Sequence, residues 1–546
     1  MKVVLVSINS QYIHASPAPW CLKAGIEKFS NEKSEIVVFE GTVNEKIDNV
    51  FEKIVKLNPN IISFSCYIWN IVFVLKLAQM VKDELGCIVV LGGPEVTFNS
   101  ENVIKEPFVD FVVCGEGEKP LALLIDCIIS GTEINIDGVS SKNKMAIPYL
   151  PQNCDFNYNL DEYCQNLNGR IAYIETSRGC PYSCAFCLSS SLGKTRFTNL
   201  EETFNDIIKI SNSSAKTIKF VDRTFNANRE RAKKIFSFII NNYGGLIPKE
   251  KNFHFEIAGD ILDDETIEIL NKAPKNLFRL EIGMQSFNEK TLEAVNRKTN
   301  TKKLINNIKK LTANGNLILH IDLIAGLPYE DFNSFKNSFN TAFYLGANEL
   351  QLGFLKLLYG TDLRQKYEKE NCLFSSSAPY EVIETPCLSK QEIRLIKCCE
   401  EANERLVNSN RFSNTASYLF NSLGLDPFVY LTNFGVFVGK KSRPIYEFVN
   451  LIYLYFKDFC DSEKLRDFLL IDLFASCNCE KVPSLLLKED KLLKKFKNFL
   501  EENENTKRPQ NVKRRVFALY SMGKFAYIDY DKKLTDGKYK INYINF

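Results

Sequence analysis

The sequence has no excess of charge of either sign, no long hydrophobic run and no export signal. Its 69 Lys and Arg against 66 Asp and Glu leave a formal net charge of +3. A balance so near neutral gives no reason to infer nucleic acid or a membrane as partner. The longest uncharged stretch, Ile61 to Leu75, is shorter than the roughly 20 residues of a bilayer span and contains Asn70. It reads as a buried strand running into a helix. The opening MKVVLVSINSQ turns polar after a few apolar residues and reads as a first strand rather than a signal peptide. The 17 cysteines, mostly in apolar contexts, then imply free thiols in a reducing cytoplasm and not a disulfide framework. No sequence repeat or low-complexity tract is visible. With 546 residues the chain exceeds one hydrophobic core, so two to four domains are expected.

Residues 1–142 alternate strand and helix. Strands are read at 2–8, 35–41, 60–67, 87–95 and 108–118, with helices at 20–29, 44–57 and 72–86, the last closed by Gly86. Continuous Val/Ile runs between helices imply an α/β domain, a doubly wound parallel sheet with helices on both faces. Such sheets bind ligands at the carboxyl ends of their strands. Gly92-Gly93-Pro94-Glu95 and Gly115-Glu116-Gly117-Glu118 fall there, and glycine allows a flat ligand to approach the backbone. No G-x-G-x-x-G follows the first strand, so a dinucleotide fingerprint is missing.

Residues 143–168 read as an irregular polar linker. From 169 to 360 a second series runs, with strands at 170–176, 216–222, 253–258, 277–284, 317–325 and 350–355. Helices are read at 200–211, 229–242, 264–273, 301–314 and 332–345. Six βα units of this length suggest a partial (β/α)6 barrel whose chemistry sits at the carboxyl ends of its strands. Residues 361–546 read as a mainly helical domain, with helices at 389–409, 445–460 and 462–477 and two β-like runs after 510. Cys477 and Cys479 there read as structural. The basic run at 507–515, after the acidic 501–505, reads as a solvated charged face.

Cys180, Cys184 and Cys187 form a C-x3-C-x2-C directly after the first barrel strand. Three readings compete. The spacing i, i+4, i+7 is one face of a helix, where cysteine acts as a small core residue. Gly179 and Pro181 oppose that, because they mark a loop. Structural zinc takes four ligands, and no fourth Cys or His lies nearby in sequence. A [4Fe-4S] cluster held by three thiolates keeps one iron open, which marks a catalytic site.

With Phe186 before the last cysteine, this stretch resembles the radical S-adenosylmethionine (SAM) superfamily. The resemblance implies that the open iron chelates SAM and that one electron from the cluster cleaves it to a 5′-deoxyadenosyl radical. A flavodoxin- or ferredoxin-type donor would supply that electron. Other motifs carry over residue by residue. Asp222 takes the place that meets the SAM amino group, although the usual Gly-Gly-Glu is missing. Glu256 lies near the end of the third strand. Glu281, Gly283, Gln285 and Ser286 resemble an E-x-G-x-Q-S, with Gln285 and Ser286 bonding ribose or carboxylate. Gly326 lies in a turn on the adenine side.

A doubly wound domain before such a barrel resembles the B12-binding subgroup. The resemblance implies cobalamin near Ser65, Gly92, Gly93, Glu95, Gly115, Glu116 and Gly117. No D-x-H-x-x-G offers a histidine to cobalt, and His14 reads as a solvated loop residue. His254 and His320, in barrel strands, read as hydrogen-bonded interior residues. The implied function is cobalamin-dependent methyl transfer to an unactivated carbon of a small-molecule or peptide substrate. A methylthiotransferase, a cyclase-type enzyme and a non-catalytic cobalamin or SAM regulator remain as alternatives. The methylthiotransferase would need a second cysteine set among the dispersed Cys21, Cys66, Cys87 and Cys114.

Overall fold

The computed structural model describes residues 1–153, 158–370, 372–441, 443–479, 482–488, 491–502, 512–534 and 537–545, without the side chains of 190 and 192. Most of the basic run expected at 507–515 therefore lies outside the described residues. Two compact units divide the chain. The first holds Met1–Asp331, Leu345–Ala347 and Gly353–Ser389; the second holds Phe332–Tyr344, Asn348–Leu352 and Lys390–Phe546.

The first unit opens with strands β1 (Lys2–Asn9), β2 (Glu35–Thr42), β3 (Ile61–Ser65), β4 (Ile88–Gly92), β5 (Phe111–Val113) and β6 (Val139–Ser140). They form one sheet in the order β2-β1-β3-β4-β5-β6. β1 to β5 are parallel. Alternate side chains of each strand feed two separate cores. Val4, Val6 and Ile8 pack with Val50, Ile54, Val74 and Leu77 of helices Ile47–Leu57 and Ile71–Leu85. Val3 and Leu5 pack with Ile26, Leu121 and Leu124 of helices Ala18–Phe29 and Glu118–Ser130. Helices on both faces explain the near-continuous apolar runs of these strands, such as Val3–Val6 of β1.

Three expectations need correction. The sheet is not wholly parallel, because β6 runs antiparallel to β5 at its edge. The strands read at 87–95 and 108–118 stop at Gly92 and Val113, since backbone turns follow both. The supposed irregular linker holds a helix, Leu160–Gln165, anchored where the Tyr163 hydroxyl donates to the carbonyl of Ala15 at 2.9 Å.

The second sheet begins with β7 (Ala172–Ile174). A small antiparallel ribbon, β8 (Ser177–Arg178) with β9 (Arg196–Phe197), follows. Then come β10 (Thr217–Phe220), β11 (Asn252–Ile257), β12 (Phe278–Gln285), β13 (Ile318–Ala325) and β14 (Glu349–Phe354). The order is β14-β13-β12-β11-β10-β7, an open run of six strands as the partial barrel requires. Burial alternates strictly along β12, so one face packs and the other lines an interior. A second ribbon, β15 (Leu373–Phe374) with β16 (Val382–Glu384), completes this unit.

In the second unit, helices Lys390–Asn403, Pro427–Val438, Ile445–Phe456 and Ser462–Ser476 accompany the antiparallel strands β17 (Arg514–Leu519), β18 (Lys524–Asp529) and β19 (Asn542–Asn545). Helix Lys491–Glu502 lays Phe496 and Leu500 against Ala518 and Phe525 of that sheet.

Candidate functional site

The strand ends of the first sheet and the loops above β7 face one cleft of about 580 Å³. Ser65, Gly92, Gly93, Gly115, Glu116 and Gly117 all line it from the first sheet. Two of these glycines are also required by the chain's own turns. Gly93 has φ +107°, and a Cβ there would stand 2.6 Å from the carbonyl oxygen of Cys66. Gly115 has φ +87°, and its Cβ would stand 2.3 Å from the carbonyl of Tyr149. Thr97 stitches the two turns, its hydroxyl donating to Gly93 O at 2.9 Å and accepting from Gly115 N at 3.1 Å. The expected glycine–ligand approach thus fits Gly92, whose Cβ would meet only Val113 at ordinary contact distance.

Glu95 does not face the cleft. It is 5% exposed and accepts a 2.5 Å hydrogen bond from the Tyr380 hydroxyl. Burial pushes its carboxyl up, against the pull of Tyr380 and Arg364. Glu116 lines the cleft but is spent on ion pairs, with Arg178 at 2.9 Å and with Arg196. Arg178 also pairs with Glu118 at 2.8 Å and Glu175 at 2.7 Å. This network ties the end of β5 to the segment that leads into the cysteines. The sequence signal was present: GEGE sets two carboxylates at a buried strand end, and buried carboxylates need a cation.

Asn70, the polar break in the apolar stretch, is fully buried. Its amide donates to the carbonyls of Ile8 and Ser65, each at 3.0 Å, and accepts from Tyr67 N at 2.7 Å. The turn so fixed presents Tyr67 and Trp69, stacked at 4.3 Å between ring centroids, to the cleft. Trp69 remains 50% exposed. His14 lines the cleft too, and is not simply solvated: its Nδ1 lies 2.6 Å from the Tyr173 hydroxyl.

The cysteine stretch is a loop, not a helix. It turns from β8 through Cys184 to a short 3₁₀ turn, Leu188–Leu192, capped by Cys187. Among the described residues no three His, Cys, Asp or Glu side chains converge as metal ligands, this loop included. The three thiols nonetheless share one electrostatic environment: burial pushes the Cys184 thiol up, Arg297 pulls it down, and Cys187 and Cys180 push it up further. Each sulfur has a polar neighbour: Thr224 Oγ1 lies 3.4 Å from Cys180, while Arg297 Nη1 donates to Cys184 at 3.7 Å and Ser189 N to Cys187 at 3.4 Å. Three thiols on one short loop, two of them facing N–H donors, fit an anionic iron–sulfur cluster. Cys21, Cys66, Cys87 and Cys114 are each buried in the core of the first unit, and no second cysteine set forms among them.

Asp222 is 1% exposed, and its oxygens accept from Thr176 N at 2.9 Å, Thr176 Oγ1 at 2.7 Å and Ser177 Oγ at 2.6 Å. Burial raises its carboxyl to about 6 despite these bonds. It braces the loop from beneath rather than meeting a ligand amine. Ser286 is likewise occupied, 1% exposed and donating to Glu330 at 2.6 Å. Gly326 closes its turn with its carbonyl accepting from the Tyr367 hydroxyl at 3.1 Å. Gln285 differs. It sits at a bulge in β12 with φ +69°, and its Oε1 is buried with no partner among the described residues. An unsatisfied acceptor at the end of β12 fits a ligand hydroxyl.

Below it lies a charged interior that sequence reading noted only in parts. Lys219 reaches Glu281 at 3.2 Å and Glu256 at 3.6 Å. His254 Nε2 lies 2.9 Å from Glu281 and its ring packs on His320. Burial works against the Glu281 charge, but His254 and Lys219 outweigh it and hold the carboxyl at about 2. Burial, with the nearby Arg279 and His254, lowers His320 to about 4. Asp322 goes the other way: burial, then the charges of Glu281 and Glu256, raise it to about 8. Burial raises Glu256 as well, against Arg223 and Lys219. His320 and Asp322 stand two apart on an apolar strand, which is the pattern of an interior polar row.

Residues 8–125 match the B12 binding domain, 174–342 the radical SAM superfamily, and 368–541 a protein family of unknown function, DUF4080. The cobalamin-dependent radical SAM methyltransferase TokK of Streptomyces tokunonensis is 26% identical over 340 residues, 58% of this chain and 48% of TokK. An uncharacterized methyltransferase of Pyrococcus horikoshii is 31% identical over 258 residues, 42% of this chain and 55% of that protein. The chain thus spans about half the length of these curated relatives. The cobalamin-dependent SAM radical enzyme OxsB, solved with aqua-cobalamin and SAM bound, shares the fold. It superimposes with a TM-score of 0.59 at 14% identity, over 92% of this chain and 80% of its own. No helix among the described residues is long and apolar enough to cross a membrane. The chain therefore carries a B12-binding match followed by a radical SAM match, and over that span is similar to cobalamin-dependent radical SAM enzymes.

Proposed function

We propose that this chain is a cobalamin-dependent radical SAM methyltransferase acting on an unactivated carbon of a small-molecule or peptide substrate. The observation that carries the reading is the single cleft. Ser65, Gly92 and Gly115 of the first sheet and Gly179, Leu188 and Ser189 of the cysteine loop open onto the same space. Two cofactors held on opposite walls can address one carbon, and such placement is itself a large part of catalysis.

Cys180, Cys184 and Cys187 would hold the [4Fe-4S] cluster, and Gln285 would accept from SAM. The corrinoid would lie along Ser65, Gly92, Gly93, Gly115 and Gly117, beside Trp69. When bound, the cluster supplies the electron that splits the SAM sulfonium, and the corrinoid supplies a carrier for the methyl group. The chain's own groups set the geometry. Thr224, Arg297 and the Ser189 N–H meet the three sulfurs, and Arg178 with Arg196 fixes the cysteine segment against the end of β5. The electron comes from a flavodoxin- or ferredoxin-type donor, and the reading puts the chain in the reducing cytoplasm.

Anaerobic purification with iron, sulfide and cobalt analysis tests the proposal. Four irons and one corrinoid per chain, with 5′-deoxyadenosine formed from SAM under reduction, are the expected result. Cys184→Ala should abolish both the iron and the nucleoside product. Iron without corrinoid would remove the methyl-transfer reading. A Cys184→Ala chain that still makes 5′-deoxyadenosine at the parent rate would remove the radical SAM reading as well.

A further inference from the structure

Behind the cysteine loop lies a second concavity, an open groove of about 670 Å³. Pro181, Lys194, Phe197, Asn228 and Arg229 line it, and it shares no lining residue with the cofactor cleft. Pro181 is bonded directly to Cys180, so the groove floor is one peptide bond from a cluster ligand. The cysteine loop thus separates two openings, one facing the cleft and the other facing this groove.

Two cations against one carboxylate line the groove. Lys194 and Arg229 are exposed, and neither takes part in an ion pair among the described residues. Arg229 is the first residue of the 14-residue helix Arg229–Asn242, whose amino terminus adds the positive end of its dipole. One carboxylate borders the groove, Glu230; it pairs at 3.1 Å with Lys233, which also pairs with Asp263 and Glu265. Pro181 and Phe197 add apolar lining. An apolar centre with an unpaired basic rim suits a folded partner with an acidic face.

We propose that this groove is the docking surface for the protein that reduces the cluster, an acidic one-electron carrier with a flavin or iron–sulfur centre. The inference rests on the radical SAM reading above, which requires one electron at the cysteine loop for each SAM cleaved. The carrier gives up one electron and the cluster gains it; no atom is transferred. Entry at Pro181 leaves the cleft free for SAM, corrinoid and substrate while the carrier is seated.

The test compares two reductants on the reconstituted full-length chain. Lys194→Glu with Arg229→Glu reverses the groove's charge without touching the cleft. Reduction of the cluster by a reduced acidic bacterial flavodoxin, followed by stopped-flow absorbance at low ionic strength, should slow by on the order of tenfold or more. Its loss of rate with added salt should flatten. Reduction by dithionite, and dithionite-driven 5′-deoxyadenosine formation, should stay at the parent level. A double variant reduced by flavodoxin at the parent rate, with the parent salt dependence, overturns the docking surface. A parent chain that binds no iron, or that dithionite cannot drive to cleave SAM, overturns the reading beneath it, and the dithionite arm tells the two failures apart.

Discussion

In the first sheet β1 is buried on both faces, while in the second β12 alternates a packed residue with an interior-facing one. The consequence is a different address for chemistry. An open sheet covered by helices can offer a ligand only its strand ends, and there the chain has placed Gly92, Gly115, Thr97 and the turn of Tyr67 and Trp69. A curved sheet has an interior, and there the chain has placed Lys219, His254, Glu256, Glu281, His320 and Asp322. The first wall is shaped by backbone turns and two aromatic rings, and its carboxylates Glu116 and Glu118 are held in ion pairs. The second is charged and shaped by side chains. Arg178 and Arg196, between β7 and β10, are where the second sheet's segment reaches over to the first.

That contrast can be broken at its joint. Arg178→Gln leaves Glu116, Glu118 and Glu175 facing one another without their shared cation. Removing one partner from a largely buried ion network costs about 3–5 kcal/mol. The expected outcome is a lower urea midpoint for the first unit and weaker corrinoid retention on gel filtration, the largest effect among these substitutions.

The charged interior predicts a pH response. Asp322 titrates at about 8 in the folded chain against an ordinary 3.8. Between those values the folded state holds a proton that the unfolded state has released, so stability falls as pH rises through that window and levels off above it. Asp322→Asn removes the slope. Relative to the parent it should gain stability as pH climbs from about 4 to about 8, by at most roughly 1.4 kcal/mol per pH step of one. Parallel denaturation curves across this range check it, and curves that stay parallel would show that Asp322 is ionised throughout.

A smaller effect is expected at Glu95. Tyr380→Phe deletes the hydrogen bond to this buried carboxylate, worth about 1–2 kcal/mol. Thermal unfolding should show the loss, and corrinoid binding should be unchanged, because Glu95 faces away from the cleft.

Much of this was legible in the amino-acid order. The βα rhythm placed every barrel strand within a few residues, since period-two and period-3.6 patterns are separate signals. The cysteine loop was readable because Gly179 and Pro181 forbid the helix that the spacing alone allows. Helix Pro427–Val438 was not readable. Its PFVYLTNFGVFV is rich in β-branched and aromatic residues with a glycine inside, a strand's composition. Tertiary packing overrides it: a Cβ on Gly435 would sit 2.0 Å from the carbonyl of Cys398, so the glycine lets two helices touch. The same limit applies at Asp222 and Ser286. A motif marks the position of a polar side chain, but whether it faces a ligand or a neighbour depends on chain far away in sequence. Asp222 is claimed by Thr176 and Ser177, and Ser286 by Glu330.

Ala185, between the second and third cysteines, is pinned twice. Its N–H donates to Val295 O at 2.9 Å, and its carbonyl accepts from Leu363 N at 3.0 Å. Both anchors are made long after the loop itself during synthesis on the ribosome. The nascent chain therefore lacks the second of these fastenings for its cysteine loop until the first turn of helix Asp362–Lys369 has emerged. A loop held at both anchors therefore exists only after Leu363 has been made, and a truncation ahead of Leu363 would leave Ala185 with the Val295 anchor alone.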